Sequence, residues 1–355
     1  MHLEDKDVEY AQIWCQGKTL SDACPEEYQN RLKHVEKRAK TFLRTFRNAR
    51  INLDEVCFYD LVPEKFLLDF CEVKTEITKS VFENHKRPEN YDFLRELVFF
   101  LKKIETKPVN IDISAIDSTS DETKVGLNKV DVTKRHVIYN PWKTVTGRLT
   151  TDKSSFPILT LSKDLRSIIK PQNDLFVELD FNSAELRVLM GLLGQEQPKE
   201  DFHVWINENI FDGKLDREKT KKKVFSWLYN PNAKNKKLNK HLNRDELYER
   251  FYDGNHVTTP YGRTIPVDKD KAVNYLVQST SSDMLLTAAM KLDKILAGKR
   301  SYISFCIHDS VVVDMSHEDK DTLRHLISEF ADTRFGQLRT NLSMGKDFGN
   351  MRKIK

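Results

Sequence analysis

Cysteine is scarce and scattered. The 355 residues hold five, at positions 15, 24, 57, 71 and 306, with no CxxC spacing. That pattern argues against a structural zinc site and a disulfide framework, and it suits a reducing cytoplasm. Long apolar runs are missing too. None approaches the roughly 18 residues of a membrane helix, so no membrane partner is expected. The opening MHLEDKDVEY is acidic and polar, unlike a secretory signal. A strong excess of charge of either sign is also absent, since the formal net charge is +4. Total charge therefore does not announce a nucleic-acid partner. Internal repeats are absent as well.

What is present is a soluble, globular balance of 39% apolar and 32% charged residues. The length is enough for roughly two or three folding units. Cations cluster at Lys219, Lys221, Lys222 and Lys223, and again at Lys234, Lys236, Lys237 and Lys240. Such clusters are either solvated helix faces or phosphate-binding surfaces. Residues 1–60 read as charged, mostly helical segments. Helices are predicted over 62–83 and 88–105, the second with Leu94, Leu97, Val98 and Leu101 on one face. Residues 107–135 are polar and read as a long loop or weak strands. From about 136, strand-like and helical stretches alternate irregularly, which predicts an α+β fold.

The stretch VELDFNSAELRVLMGLLG (177–194) places Asp180 at the end of an apolar strand. Glu185 then opens a helix marked by Leu186, Leu189, Met190 and Leu193. Asn182 or Ser183 is positioned to cap that helix. A second strand-end aspartate lies in SYISFCIHDSVVVDM (301–315), which reads as a β-hairpin with His308-Asp309-Ser310 at its turn. Each aspartate alone is an ordinary turn former. If the two strand ends meet, Asp180 and Asp309 make a paired-carboxylate site for hard cations. Such a centre can clamp both oxygens of an in-line phosphoryl displacement.

In REKTKKKVFSWLYN (217–230), Arg217, Lys221, Phe225 and Tyr229 recur every four residues. Each step drifts about 40°, so they form one stripe on a helix. Two cations followed by two aromatics suit a ligand with a polyphosphate at one end and a ring at the other. A surface helix with a partly buried aromatic edge is the plain alternative. Arg148 in TGRLTT (146–151) lies on a turn, and Asn274 and Gln278 lie one helical turn apart in NYLVQSTSSD (274–283). These side chains are suited to donate to the minor-groove acceptors present in every base pair.

In order along the chain, these segments resemble those of family A DNA polymerases, the group of bacterial DNA polymerase I and many phage replicases. TGRLTT is similar to the family's TGRLSS, and DFNSAELR (180–187) to its motif A, DYSQIELR. DFH (201–203) is similar to DxH, and RxxxKxxxFxxxY (217–229) to motif B. TPYGRTIP (259–266) resembles TxxGRRRxLP, and NYLVQSTSSDMLLTAAM (274–290) resembles NxPxQGTAADxxKxAM. IHDSVVV (307–313) resembles motif C, VHDELVF. The likeness covers about 136–350 and extends weakly to CEVKTEITKSVFENHKRPENYDFLREL (71–97), which looks like a phage-type thumb.

The resemblance implies a right-hand polymerase fold. Its parts would be an N-terminal helical extension (1–60), a helical thumb (61–135), a palm (136–193 and 263–355) and fingers (194–262). It implies template-directed addition of dNTPs to primer–template DNA with two Mg²⁺ ions. Asp180, Asp309 and the backbone carbonyl of Phe181 would bind metal. Glu185 would exclude a 2′-hydroxyl. Arg217 and Lys221 would bind the triphosphate, with Lys221 donating a proton to pyrophosphate and His203 touching phosphate. Phe225 would pack on the sugar and Tyr229 near the templating base. Arg148, Asn274, Gln278 and His308 would line the minor groove. The setting implied is phage replication in the host cytoplasm.

Several positions depart from the family pattern. Phe181 replaces Tyr, Asn182 Ser, Val224 Asn, Asn230 Gly and Ser310 Glu, while Asp270 stands where Arg is common. Only residues 230–261 separate Tyr229 from Gly262, so reduced fingers are expected. Two rivals share the fold: a single-subunit RNA polymerase and an inactive nucleic-acid-binding homologue. Glu185 speaks against the first. Retention of Asp180, Asp309, Arg217, Lys221 and Tyr229 speaks against the second. About 60 residues precede the thumb-like helices, too few for a proofreading nuclease domain. Asp54 and Glu55 are adjacent and would not converge from a strand. Proofreading, if any, is expected from a separate exonuclease or replication protein.

Overall fold

The strand expected around Glu178 is the middle of a five-stranded antiparallel sheet in the computed structural model, which describes residues 9–52, 56–116, 130–230 and 232–354. The strand order is Arg352–Ile354, Thr340–Gly345, Leu175–Phe181, Ser310–Met315, Tyr302–Ile307. Side chains alternate across a strand. Val177, Leu179 and Phe181 are buried together on one face, where the Phe181 ring stacks on Phe330 at 4.2 Å. Glu178 and Asp180 therefore share the opposite face.

The helix Lys269–Ile295 packs against the sheet's hairpin strands and against the helices Ala184–Leu192 and Leu323–Ala331. It is buried on several sides. Even Ser279, Thr280 and Asp283 have no exposed surface, so its sequence shows little amphipathic contrast. The two-residue turn His308–Asp309 joins the hairpin strands, and His308 takes the left-handed conformation at φ 51°. Ser310, expected in the turn, is the first residue of the second strand because it pairs with Ile307. The outer strand Tyr302–Ile307 is capped by Tyr139. Its hydroxyl donates to the Cys306 carbonyl and accepts from the Cys306 N–H at 3.0 Å. That contact ties the 139–151 segment to the sheet.

The chain divides into two compact units, Met1–Arg95 and Glu96–Lys355. In the first, the helix Glu26–Asn48 buries Leu32, Val35, Ala39 and Leu43 in one core with Phe66, Phe70, Val73 and Ile77 of the helix Glu64–Asn84. This core draws residues from both sides of 60/61, the boundary expected between the N-terminal extension and the thumb. The helix expected over 88–105 runs from Tyr91 to Glu105, and the stripe from Arg217 to Tyr229 lies on the helix Arg217–Tyr229. Of the polar stretch 107–135, Asn110–Ile111 pairs with Ile169–Lys170, while residues 117–129 lie outside the described residues. Asp54 and Glu55 lie outside them too.

Candidate active site

Sheet pairing brings the two strand-end aspartates together. Asp180 is directly opposite Ser310, and the Phe181 N–H donates to the Asp309 carbonyl at 3.4 Å. Burial pushes the Asp180 carboxyl up to about 6, and the charges of Asp309 and Glu178 push the same way. A hydrogen bond from Asn341 Nδ2 at 2.8 Å offsets part of this. Burial also raises Asp309, against the pull of Arg148 and His308. Among the described residues neither carboxylate has an ion-pair partner within 4.0 Å. Two adjoining carboxylates, half-buried and uncompensated, are a hard-oxygen donor set that fits a divalent cation. No group of three or more His, Cys, Asp or Glu among the described residues is arranged to hold a metal.

Glu178 was not singled out by sequence reasoning. It lies two residues before Asp180 on the same face, and Ser310 Oγ donates to it at 2.9 Å. The serine that replaces the family's glutamate thus holds a carboxylate supplied by the neighbouring strand.

Glu185 is in the first turn of its helix, as expected, but the cap is not. Ser183 takes the N-cap position in a left-handed conformation without a side-chain cap bond. Asn182 is drawn elsewhere. Its Nδ2 donates to Asp201 at 3.0 Å and its Oδ1 accepts from the Phe202 N–H at 3.1 Å. Glu185 is buried and pairs with Arg148 Nη2. Burial pushes its carboxyl up to about 7, with Arg148 pulling it down. Arg148 is therefore engaged by protein rather than free on its turn. It lines a cleft of about 170 Å³ with Leu149, Leu285, Cys306, His308 and Asp309.

On the helix Arg217–Tyr229, Thr220, Val224, Trp227 and Leu228 form the buried face. Arg217, Lys221, Phe225 and Tyr229 lie on the other side, in the stripe that the spacing predicts. The Phe225 and Tyr229 rings are parallel, 5.7 Å apart, and His203 approaches Phe225 at 5.8 Å. His203 is 2% exposed with no partner on Nδ1. Burial holds it down to about 4, so it is neutral at physiological pH. Lys221 is exposed. Arg217 is bound to Asp201, which also caps the helix Phe202–Ile210.

The remaining motif residues are mainly structural. Arg263 makes a two-point pair with Asp283, at 3.1 and 2.7 Å, and Asp283 has no exposed surface. Gly147 of TGRLTT lies against the Arg263 guanidinium. Three sequence motifs thereby dock on one buried ion pair, which spacing alone does not reveal. Arg187 is fully buried and donates to the carbonyls of Asn182, Pro198 and Glu200. Asn274 and Gln278 share a helix face as expected, and they bond each other.

This is an α+β polymerase fold. It aligns with the solved POL domain of Pol1 from M. smegmatis, in complex with DNA primer-template and dNTP, at a TM-score of 0.53 and 13% identity. That alignment covers 97% of this chain and 67% of the other. A DNA polymerase of Mycobacterium phage L5 is 25% identical over 231 residues, covering 55% of this chain and 38% of the relative. A DNA polymerase of Mycobacterium phage D29 is 22% identical over 222 residues, covering 52% of this chain and 36% of the relative. The chain thus spans less than two-fifths of the length of the curated relatives it matches. No protein-family model matches. Fold and sequence likeness together make this chain similar to DNA polymerases and their polymerase domains. Among the described residues, no helix is long and apolar enough to cross a membrane.

Proposed function

We propose that this chain is a template-directed DNA polymerase that adds dNTPs to a primer 3′ end. The observation that carries the reading is the meeting of Asp180 and Asp309 at adjoining strand ends, with no cation among the described residues paired to either. In this reading residues 136–193 and 263–355 are the palm, 194–262 reduced fingers and 61–135 a helical thumb, preceded by an N-terminal extension (1–60). Primer–template DNA and dNTPs are the partners. The setting is phage replication in the host cytoplasm.

Asp180, Asp309 and the Phe181 carbonyl would hold two divalent cations, Mg²⁺ in this reading, which would supply Lewis-acid activation of the primer hydroxyl and charge neutralisation at the leaving pyrophosphate. Glu185 fills the space a 2′-hydroxyl would need. Arg217 and Lys221 hold the triphosphate, and Lys221 supplies a proton to pyrophosphate. Neutral His203 backs the Phe225 ring and touches phosphate. Phe225 and Tyr229 stack on sugar and base. Arg148, His308, Asn274 and Gln278 face the minor groove of the terminal pairs.

Primer extension with dNTPs against rNTPs, in Mg²⁺, tests the reading. Wild-type protein is expected to extend with dNTPs. Asp180→Ala or Asp309→Ala should abolish extension while primer–template affinity, dominated by phosphate contacts, stays largely intact. Substantial Mg²⁺-dependent extension by either variant sinks the assignment. Extension with rNTPs alone would point to the RNA polymerase relatives instead.

A further inference from the structure

Arg217 is held more firmly than a loose phosphate ligand would be. Its Nε and Nη2 donate to the two carboxylate oxygens of Asp201 at 3.2 and 3.0 Å, and its Nη1 donates to Glu218 at 3.0 Å. The two carboxylates differ. The Glu218 side chain is 69% exposed, against 21% for Asp201. Asp201 also accepts from the backbone N–H groups of His203 and Val204, at 3.1 and 3.3 Å, and from Asn182 Nδ2 at 3.0 Å. Burial alone would raise the Asp201 carboxyl. The hydrogen bonds from Arg217, Asn182 and Val204 outweigh it and hold the carboxyl well below the usual range.

A guanidinium offers two edges to planar oxyanions. The Nε/Nη2 edge is committed to Asp201. The Nη1/Nη2 edge faces only the exposed Glu218 among the contacts described. Asn182 completes a chain back to the palm. It stands two residues after Asp180. Its backbone carbonyl accepts from Arg187 Nε at 2.7 Å, and its Oδ1 accepts from Arg187 Nη2 at 3.3 Å and the Phe202 N–H at 3.1 Å. Its side-chain amide is therefore held at both ends.

We infer that Asp201 is a positioning residue: it fixes one edge of Arg217 so that the other edge is offered to a polyphosphate, and Asn182 keys that orientation to the strand end carrying Asp180. The identity of the polyphosphate, a dNTP, rests on the polymerase reading. The presentation of an anion-binding edge rests on the contacts themselves.

Two measurements on the full chain test this. One is affinity for inorganic tripolyphosphate by calorimetry. The other is the split between KM for dNTP and kcat in primer extension. Asp201→Asn keeps a capping acceptor but loses the charge. It should weaken tripolyphosphate and raise KM roughly tenfold, with kcat changed by less than about twofold. Arg217→Ala should weaken tripolyphosphate at least as much, and the double variant should be no weaker than Arg217→Ala alone, because Asp201 acts through Arg217. Glu218→Gln should bind tripolyphosphate as well as wild type or better. Asn182→Ala leaves the Asp201–Arg217 pair in place and should shift KM in the same direction by less. It serves as the second variant if Asp201→Asn does not fold.

Tighter binding by Asp201→Asn would mean that Asp201 parks Arg217 away from phosphate, and would overturn the inference. So would losses that multiply in the double variant, or a wild-type protein that does not bind tripolyphosphate. A protein that extends no primer yet shows the non-additive tripolyphosphate pattern would overturn the polymerase reading and uphold this one.

Discussion

Ser310 donates its hydroxyl to Glu178 at 2.9 Å, across paired strands and on the face that carries Asp180. The family pattern has a glutamate at position 310. Here the carboxylate stands on the adjacent strand, held by the serine. Its charge is among the influences that raise Asp180. Glu178→Gln removes the charge and keeps an acceptor for Ser310, so folding stability should change by less than about 1 kcal/mol. Divalent-cation affinity, read by Mn²⁺ titration, should fall several-fold as the local field weakens. Pairing Glu178→Ser with Ser310→Glu returns the carboxylate to the family position and should restore affinity. Unchanged affinity in Glu178→Gln would show that this carboxylate plays no part.

Sugar selection gives a second prediction. Glu185 is buried in the first helical turn, and Phe225 lies at the aromatic end of the stripe on the helix Arg217–Tyr229. Glu185→Ala removes the bulk expected to meet a 2′-oxygen, so rNTP incorporation should rise relative to dNTP. Phe225→Tyr adds a hydroxyl where a 3′-hydroxyl is missing in dideoxynucleotides, so their use should improve. Incorporation efficiencies for the three nucleotide classes check both. Ratios equal to wild type would remove these residues from the sugar pocket.

Glu185 also sets a pH dependence. Its carboxyl is raised from an unfolded value of 4.5 to about 7, chiefly by burial. Between those values the folded state binds more protons than the unfolded state. Its contribution to stability is thus fully present below pH 4.5 and lost as pH rises through about 7. The protein without divalent ions should lose about 1–3 kcal/mol from this group on passing from acid to mildly alkaline pH. Glu185→Gln should flatten that part of the profile. Denaturant midpoints from pH 5 to 8 supply the comparison, and a variant profile parallel to wild type would refute the assignment.

Much of the site was legible because its signals are local. The apolar run before Asp180, the alternation around Asp309 and the four-residue rhythm from Arg217 to Tyr229 each lie within one element. What was hidden depends on contacts between elements. Nothing in the spacing joins Asn182 to Asp201, or Ser310 to Glu178. No local signal marks Arg187, yet it is fully buried among carbonyls. Arg148 reads as an exposed turn residue, yet Glu185 engages it. The core shared across 60/61 was hidden for a related reason. The apolar stripe Leu32, Val35, Ala39 and Leu43 is set in a helix crowded with charge, and only its packing on Phe66 and Phe70 shows the shared core.

The final prediction concerns the glycine of TGRLTT. Gly147 has φ +73°, and an added Cβ would lie 2.5 Å from both Cζ and Nη2 of Arg263. The guanidinium cannot move aside freely, because it pairs with Asp283, whose side chain is 0% exposed. The Gly147 carbonyl is fixed as well, accepting from Ser282 Oγ at 3.0 Å. Gly194 provides the control, with φ +67° and nothing within 4 Å of an added Cβ. Gly194→Ala should show only the left-handed backbone cost of about 1–2 kcal/mol. Gly147→Ala adds the clash and the strain on a buried ion pair, for about 3–5 kcal/mol in all. Because Arg148 is the next residue, the same change should also displace it from Glu185 and lower discrimination against rNTPs. Chemical denaturation of the two variants separates the effects. Equal costs at 147 and 194 would mean that Arg263 yields easily, and that the buried pair does not position the turn.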